Sequence, residues 1–118
     1  MRPILAALAL LLLAAPARAE DSTLVCARHD MALNTGRAQI TFYTGANNQR
    51  WDSGWHAINR GGQFCLRRDD VRAFNVTVQA WTLDSFGWET VCNENRRPAQ
   101  SLVAEAYSSG AALRCRVQ

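Results

Sequence analysis

In the run RAFNVTVQAWT, residues 72–82, Ala73, Asn75, Thr77 and Gln79 alternate with Phe74, Val76, Val78 and Ala80. A period of two places alternate side chains on opposite faces and predicts a strand with one apolar and one polar side. RAQITFY (37–43) repeats the pattern, with Ala38, Ile40 and Phe42 set against Gln39, Thr41 and Tyr43. TLVCAR, QFCLR, WETVC and LRCRV are shorter runs of the same kind, rich in β-branched and aromatic residues. Between them lie the turn-forming clusters NTG, TGANN, NRGG, LDSFG, NENRRP and SSG. Short strands separated at about ten-residue intervals by such turns predict an all-β fold, a small antiparallel β-sandwich. Gly61-Gly62 is read as the turn of a hairpin joining GWHAI to QFCLR. PAQSLVAEAYSSG fits two templates, a helix from Pro98 to Gly110 or a strand alternating Leu102, Ala104 and Ala106 with Val103, Glu105 and Tyr107; the strand is preferred.

The first residues follow neither period. Met1-Arg2 precedes a Leu/Ala run from Ile4 to Ala15, Pro16 breaks it, and Ala17-Arg18-Ala19 supplies small residues flanking a cleavage point. This is the pattern of a secretory signal peptide over residues 1–19, leaving one domain over 20–118 with no membrane anchor. The apolar run is shorter than the roughly 20 residues a membrane span needs.

Export changes the charge argument. The whole chain has 13 basic and 10 acidic residues; Arg2 and Arg18 leave with the signal, so the mature chain carries 11 against 10. Arg67-Arg68 is cancelled at once by Asp69-Asp70. A nucleic-acid binder needs a clustered basic face, so nucleic acid is not expected as a partner. All the cations are Arg, which excludes Schiff-base and lysine-base chemistry. Cys26, Cys65, Cys92 and Cys115 are even in number and widely spaced, as in a disulfide framework rather than a metal or redox motif. Three pairings are possible, and Cys26–Cys65 with Cys92–Cys115 is favoured because each bridge closes one half of the chain. The fold is therefore expected to be disulfide-stabilised. No pattern calls for a cofactor or a metal.

Catalysis would have to use His29 and His56, with Asp52, in a small ribonuclease-like hydrolase. Such a site needs both imidazoles to converge, and His29 in RHD reads more simply as an exposed turn histidine. Neither Ser53 nor Ser85 lies in a Gly-x-Ser-x-Gly elbow. The aromatic residues offer a better basis. Trp51 and Trp55 are an even number apart and would share a face of a regular strand, while Trp51 and Trp88 flank polar turns; Trp55 and Trp81 are expected in the core. Arg and Trp anchor binding surfaces most strongly. A ligand surface of Trp51, Trp88, Tyr43, Arg50 and Arg60 is thus expected to recognise an envelope or extracellular protein or glycan, in the periplasm or outside the cell. A special form is an enzyme inhibitor or immunity protein that inserts the turn YTGANNQRW into a cleft.

The order LVCAR, an aromatic-rich strand, GWHAINRGGQFC, a long strand ending QAW, then GWETVC and a last Cys resembles a family of short secreted bacterial proteins that is a domain of unknown function. Its members pair Gly-Trp-x-x-Ile with Gly-x-x-Cys. This sequence departs from many of them in its central turn, with Arg60-Gly61-Gly62 in place of Pro-Gly. The resemblance implies no reaction, and Gly54, Trp55, Ile58 and Cys65 carry over only as structural positions.

Overall fold

The computed structural model describes residues 22–97 and 100–118, so the expected signal peptide lies outside the described residues. Nine strands follow in order: β1 (Ser22–Asp30), β2 (Gly36–Thr44), β3 (Gln49–Asp52), β4 (His56–Ile58), β5 (Gln63–Asp69), β6 (Val71–Thr82), β7 (Gly87–Arg96), β8 (Leu102–Ser109) and β9 (Ala112–Val117). They form two sheets. One has the order β5-β1-β8-β9; the other runs β3-β2-β6-β7, with β4 also pairing along β2.

The alternation read from the sequence sets which side chains meet between the sheets. Val25 and Ala27 of β1, Ala38, Ile40 and Phe42 of β2, Phe74, Val76, Val78 and Ala80 of β6, and Leu102, Ala104 and Ala106 of β8 make one buried cluster. Removing a side chain the size of Phe42 or Phe74 from water stabilises the fold by about 1.5–3 kcal/mol. The segment 102–109 is a strand because its backbone pairs on both sides, with β1 and with β9. A helix would have satisfied those groups internally and left β9 unpaired and β1 with β5 alone.

The expected disulfide-stabilised all-β sandwich forms, and two of its details differ from the reading of the sequence. The sandwich is antiparallel except for one pair: β8 lies parallel to β1, Val25 opposite Leu102 through Asp30 opposite Tyr107. β8 enters its sheet by a crossover from β7 in the other one, and a crossover, unlike a tight hairpin, permits parallel pairing. Nor do β4 and β5 form a hairpin. β4 pairs with β2 and β5 with β1, so the Gly61-Gly62 turn carries the chain from one sheet to the other. Gly61 does adopt a positive φ, 78°, and its N–H donates to the carbonyl of His29 at 2.9 Å.

Both bridges join the favoured partners. Cys26 and Cys65 lie directly opposite each other in the β1–β5 ladder. Cys92–Cys115 ties β7 to β9, linking the two sheets at one edge of the sandwich.

Candidate functional site

The outward face of the five-stranded sheet is built from the polar halves of the alternating strands. Register sets Arg37 opposite Gln79, Gln39 opposite Thr77 and Thr41 opposite Asn75. Across the next pairing Gln79 meets Thr90, Thr77 meets Asn93 and Asn75 meets Asn95. These side chains bond to one another. Gln79 Nε2 donates to Thr90 Oγ1 at 3.2 Å, and Asn75 Nδ2 donates to Asn93 Oδ1 at 2.6 Å and Asn95 Oδ1 at 2.9 Å.

Trp55 joins this face through a break in strand order. Asp52 pairs with Thr41 and His56 with Ala38, so four steps along the chain match three along β2. The extra residue falls at Ser53-Gly54, where Ser53 N–H donates to Ile40 O and Ser53 Oγ accepts from Ile40 N–H, both at 2.9 Å. Gly54 turns with φ 71°, a conformation costly for other residues. Parity therefore flips, as at a β-bulge. Trp51 lies against buried Phe42, ring centroids 6.0 Å apart, with the Arg68 guanidinium 4.1 Å from its own centroid. Trp55 turns to the opposite face.

There Trp55 and Trp88 enclose Arg37. Its guanidinium carbon is 4.3 Å from one ring centroid and 4.2 Å from the other. Nε donates to Gln79 Oε1 at 2.9 Å, and among the described residues Arg37 makes no ion pair. Each cation–π contact contributes about 0.5–1 kcal/mol when exposed and more when shielded. Both indoles keep about two-fifths of their area in solvent, Trp55 at 40% and Trp88 at 39%.

The surface expected from the sequence is not gathered in one place. Trp88 belongs to the stack around Arg37, whereas Trp51 faces the sandwich interior. Tyr43 and Arg50 are paired residues at the other end of β2. Arg60 sits in the β4–β5 turn with its Nε 3.0 Å from Asp30 Oδ1. Arg37 was missed although alternation placed it on the polar face; only the register shows two tryptophans beside it.

The histidines also separate in role. His29 is not an exposed turn residue but 2% exposed, at the end of β1. Its Nδ1 accepts from Met31 N–H at 3.2 Å and its Nε2 donates to Ile58 O at 2.9 Å, so neither nitrogen is left for a substrate. The ring lies over Gly36, where a Cβ would come within 2.6 Å of His29 Cδ2. His56 is exposed and stacks on Phe64 of β5, centroids 4.2 Å apart, across the edge between the sheets. Asp52 is occupied in the β3–β4 break. Its Oδ1 accepts from Gly54 N–H at 2.8 Å and Gln39 Nε2 at 2.6 Å, and Arg50 lies 3.0 Å from Oδ2. The Gly54 and Gln39 bonds, with Arg50 beside it, hold its carboxyl below the ordinary 3.8 against the opposing effect of burial.

A second surface lies at the end of the sandwich where β2 begins and β6 ends. Trp81 N–H donates to Thr35 O at 3.0 Å and Asn34 Nδ2 donates to Trp81 O at 2.9 Å, joining the β1–β2 loop to the end of β6. Ala32 N–H donates to Ser108 Oγ at 3.0 Å and brings in β8. Large apolar side chains project here: Leu33 is 95% exposed, Leu83 74% and Phe86 82%. Phe86 occupies the left-handed region at φ 51° in the β6–β7 turn, its ring 6.0 Å from that of Trp81. A groove between the loops is lined by Leu33, Trp81, Leu83, Val91, Ala111 and Leu113. Asp84 and Glu89 are the charged groups along it.

No protein-family model matches the sequence, and no curated protein matches it. Solved structures share the fold. Intermedilysin, a human-specific toxin, superposes with a TM-score of 0.61 at 16% identity, over 82% of this chain and 23% of that one. A non-hemolytic pneumolysin from Streptococcus pneumoniae gives 0.56 at 12% identity, again over 82% and 23%. The isolated membrane-binding domain of pneumolysin gives 0.55 at 12% identity, over 82% of this chain and 96% of that domain. The chain thus spans under a quarter of the whole toxins but nearly all of one of their domains. At such identities the likeness is one of fold.

Proposed function

We propose that this protein is an exported, non-catalytic binding module of the envelope or extracellular space, and that it docks on a lipid surface by its loop end. The carrying observation is the convergence of Leu33, Leu83 and Phe86, all exposed, from the β6–β7 turn and from the β1–β2 loop, which is bonded through Asn34 and Thr35 to Trp81 at the end of β6. Soluble domains rarely display such clustered apolar groups without an occupant. Leu33 and Leu83 line the groove between the loops yet stay largely in solvent, as does Phe86. The fold shared with a domain described as membrane-binding, that of pneumolysin, supports the reading. Two disulfides and the signal-like N-terminus support a location outside the cytoplasm.

Moving each of the three side chains out of water contributes about 1.5–3 kcal/mol, so three give roughly 5–9 kcal/mol gross. Association entropy takes back much of that. Docking is then weak and reversible for a single copy, as for a protein held by one short acyl chain. Asp84 and Glu89 beside the groove oppose anionic headgroups, so the favoured surface is uncharged overall.

Flotation with phosphatidylcholine vesicles tests this. Wild-type protein is expected to float with the vesicles, and L33S/F86S to bind at least tenfold less while melting at the same temperature. Adding phosphatidylserine is expected not to strengthen the interaction. Equal flotation of the folded double variant, or no flotation of the wild type, would overturn the reading.

The hydrolase alternative is left with His56 as its one solvent-accessible imidazole, since His29 spends both nitrogens on backbone groups. The inhibitor alternative rests on the β2–β3 turn, which carries Asn48 at φ 50° but no exposed large apolar anchor.

A further inference from the structure

The loop end leaves the Arg37 stack unexplained. A guanidinium usually finds a carboxylate, and the other cations of this chain often do: Arg28 and Arg116 flank Glu105, Arg50 has Asp52, Arg60 has Asp30, Arg72 has Asp70 and Arg96 has Glu94. Arg37 has instead two indole faces and one amide oxygen. Two indole rings lie against its guanidinium carbon, its Nε is used, and its side chain stands on the outward face near the start of β2. What remains is the outer edge of the fork, whose terminal N–H groups match the two oxygens of a carboxylate or sulfate.

The surroundings narrow the ligand further. Gln79, Thr90, Thr77, Asn75, Asn93 and Asn95 extend from Arg37 as amides and hydroxyls, and Gln39 beside them is tied to the Asp52 carboxylate. Such groups both donate and accept, as recognition of sugar hydroxyls requires. The exposed parts of Trp55 and Trp88 offer apolar ring surface beside the cation, suited to the C–H face of a pyranose. A nucleic acid would need a run of cations, and along this register the face supplies Arg37 and Arg50, the latter paired with Asp52. We infer that the Arg37 stack is a binding site for an acidic saccharide, in which the Arg37 fork takes the anionic group, the indoles flank its ring and the Asn/Gln/Thr field meets the following sugars.

This site adjoins the lipid-docking end, Trp88 lying two residues from Phe86, but uses none of Leu33, Leu83 and Phe86 and can be tested without vesicles. The probes are an oligogalacturonate, a sulfated galactan fragment and a neutral galacto-oligosaccharide, each titrated against the intact oxidised protein by calorimetry and indole fluorescence at physiological salt. One or both acidic probes are expected to bind with a change in tryptophan emission, and the neutral one at least tenfold more weakly. The response of R37Q is expected to fall at least tenfold, and that of R37K nearly as much, because a lysine keeps the charge but loses the fork. R72Q removes the same charge seven residues along the strand from Gln79 and is expected to bind like wild type. Equal affinity for neutral and acidic probes, an equal loss in R72Q, or no binding of either acidic probe would overturn the inference. Should R37Q fail to fold, R37K and the comparison of probes on the wild type decide it alone.

Discussion

His29 shows how a single residue can carry chemistry by type and structure by position. Its two nitrogens bridge the end of β1 to the loop after it and to the end of β4, and its carbonyl holds the β4–β5 turn through Gly61. H29F keeps a ring of similar size but leaves Met31 N–H and Ile58 O without partners. Each such buried loss costs about 1–3 kcal/mol. The expected fall in melting temperature exceeds about 8 °C, taking roughly 4–8 °C per kcal/mol for a domain near 100 residues. A variant melting within 2 °C of wild type would show that the ring only fills space. Residue identities alone revealed the disulfide partners and the polar sides of β2 and β6. They did not reveal Arg37, because a cation between two tryptophans is a property of register across β4, β2, β6 and β7.

At the scale of elements, alternation was the reliable signal wherever it ran unbroken, as in β2 and β6, and it chose strand over helix for residues 102–109. It failed where one residue too many entered the count. The inference that Trp51 and Trp55 share a face assumes an even pleat, and the Ser53-Gly54 break removes that assumption. Asp52 holds this break together, which makes it sensitive to acid. Its folded pKa is depressed, so its stabilising contribution is complete above the ordinary carboxylate value near 4 and is lost as pH falls through the lower folded value. In urea titrations wild type is expected to exceed D52N by a constant margin above about pH 5, and the gap is expected to close below pH 4. A gap unchanged down to pH 2.5 would exclude a role for the ionised carboxylate. Crossings between sheets, such as those at Gly61-Gly62 and at Asp70 with φ 52°, were not legible either, since a turn sequence does not say which sheet the next strand joins.

For the whole molecule, the covalent link between sheets is Cys92–Cys115, at the edge opposite the His56–Phe64 stack. Removing it as C92S/C115S is expected to cost about 2–4 kcal/mol in denaturant unfolding, with Cys26–Cys65 still in place. A cost below 0.5 kcal/mol would mean that packing alone holds the sheets in register. The two candidate surfaces differ in how they are made. The Arg37 stack is carried by paired strands, so its geometry is tied to the register of four of them. Leu33, Leu83 and Phe86 stand in turns, outside the ladders. Phe86 in particular holds a left-handed position that glycine or asparagine would also accept. For protein engineering, the loop end is therefore a graftable tip. Its sequence can be randomised, as in a display library, to redirect the molecule to new targets, while a lysine-free, doubly cross-linked body remains inert to amine-directed coupling everywhere except its amino terminus.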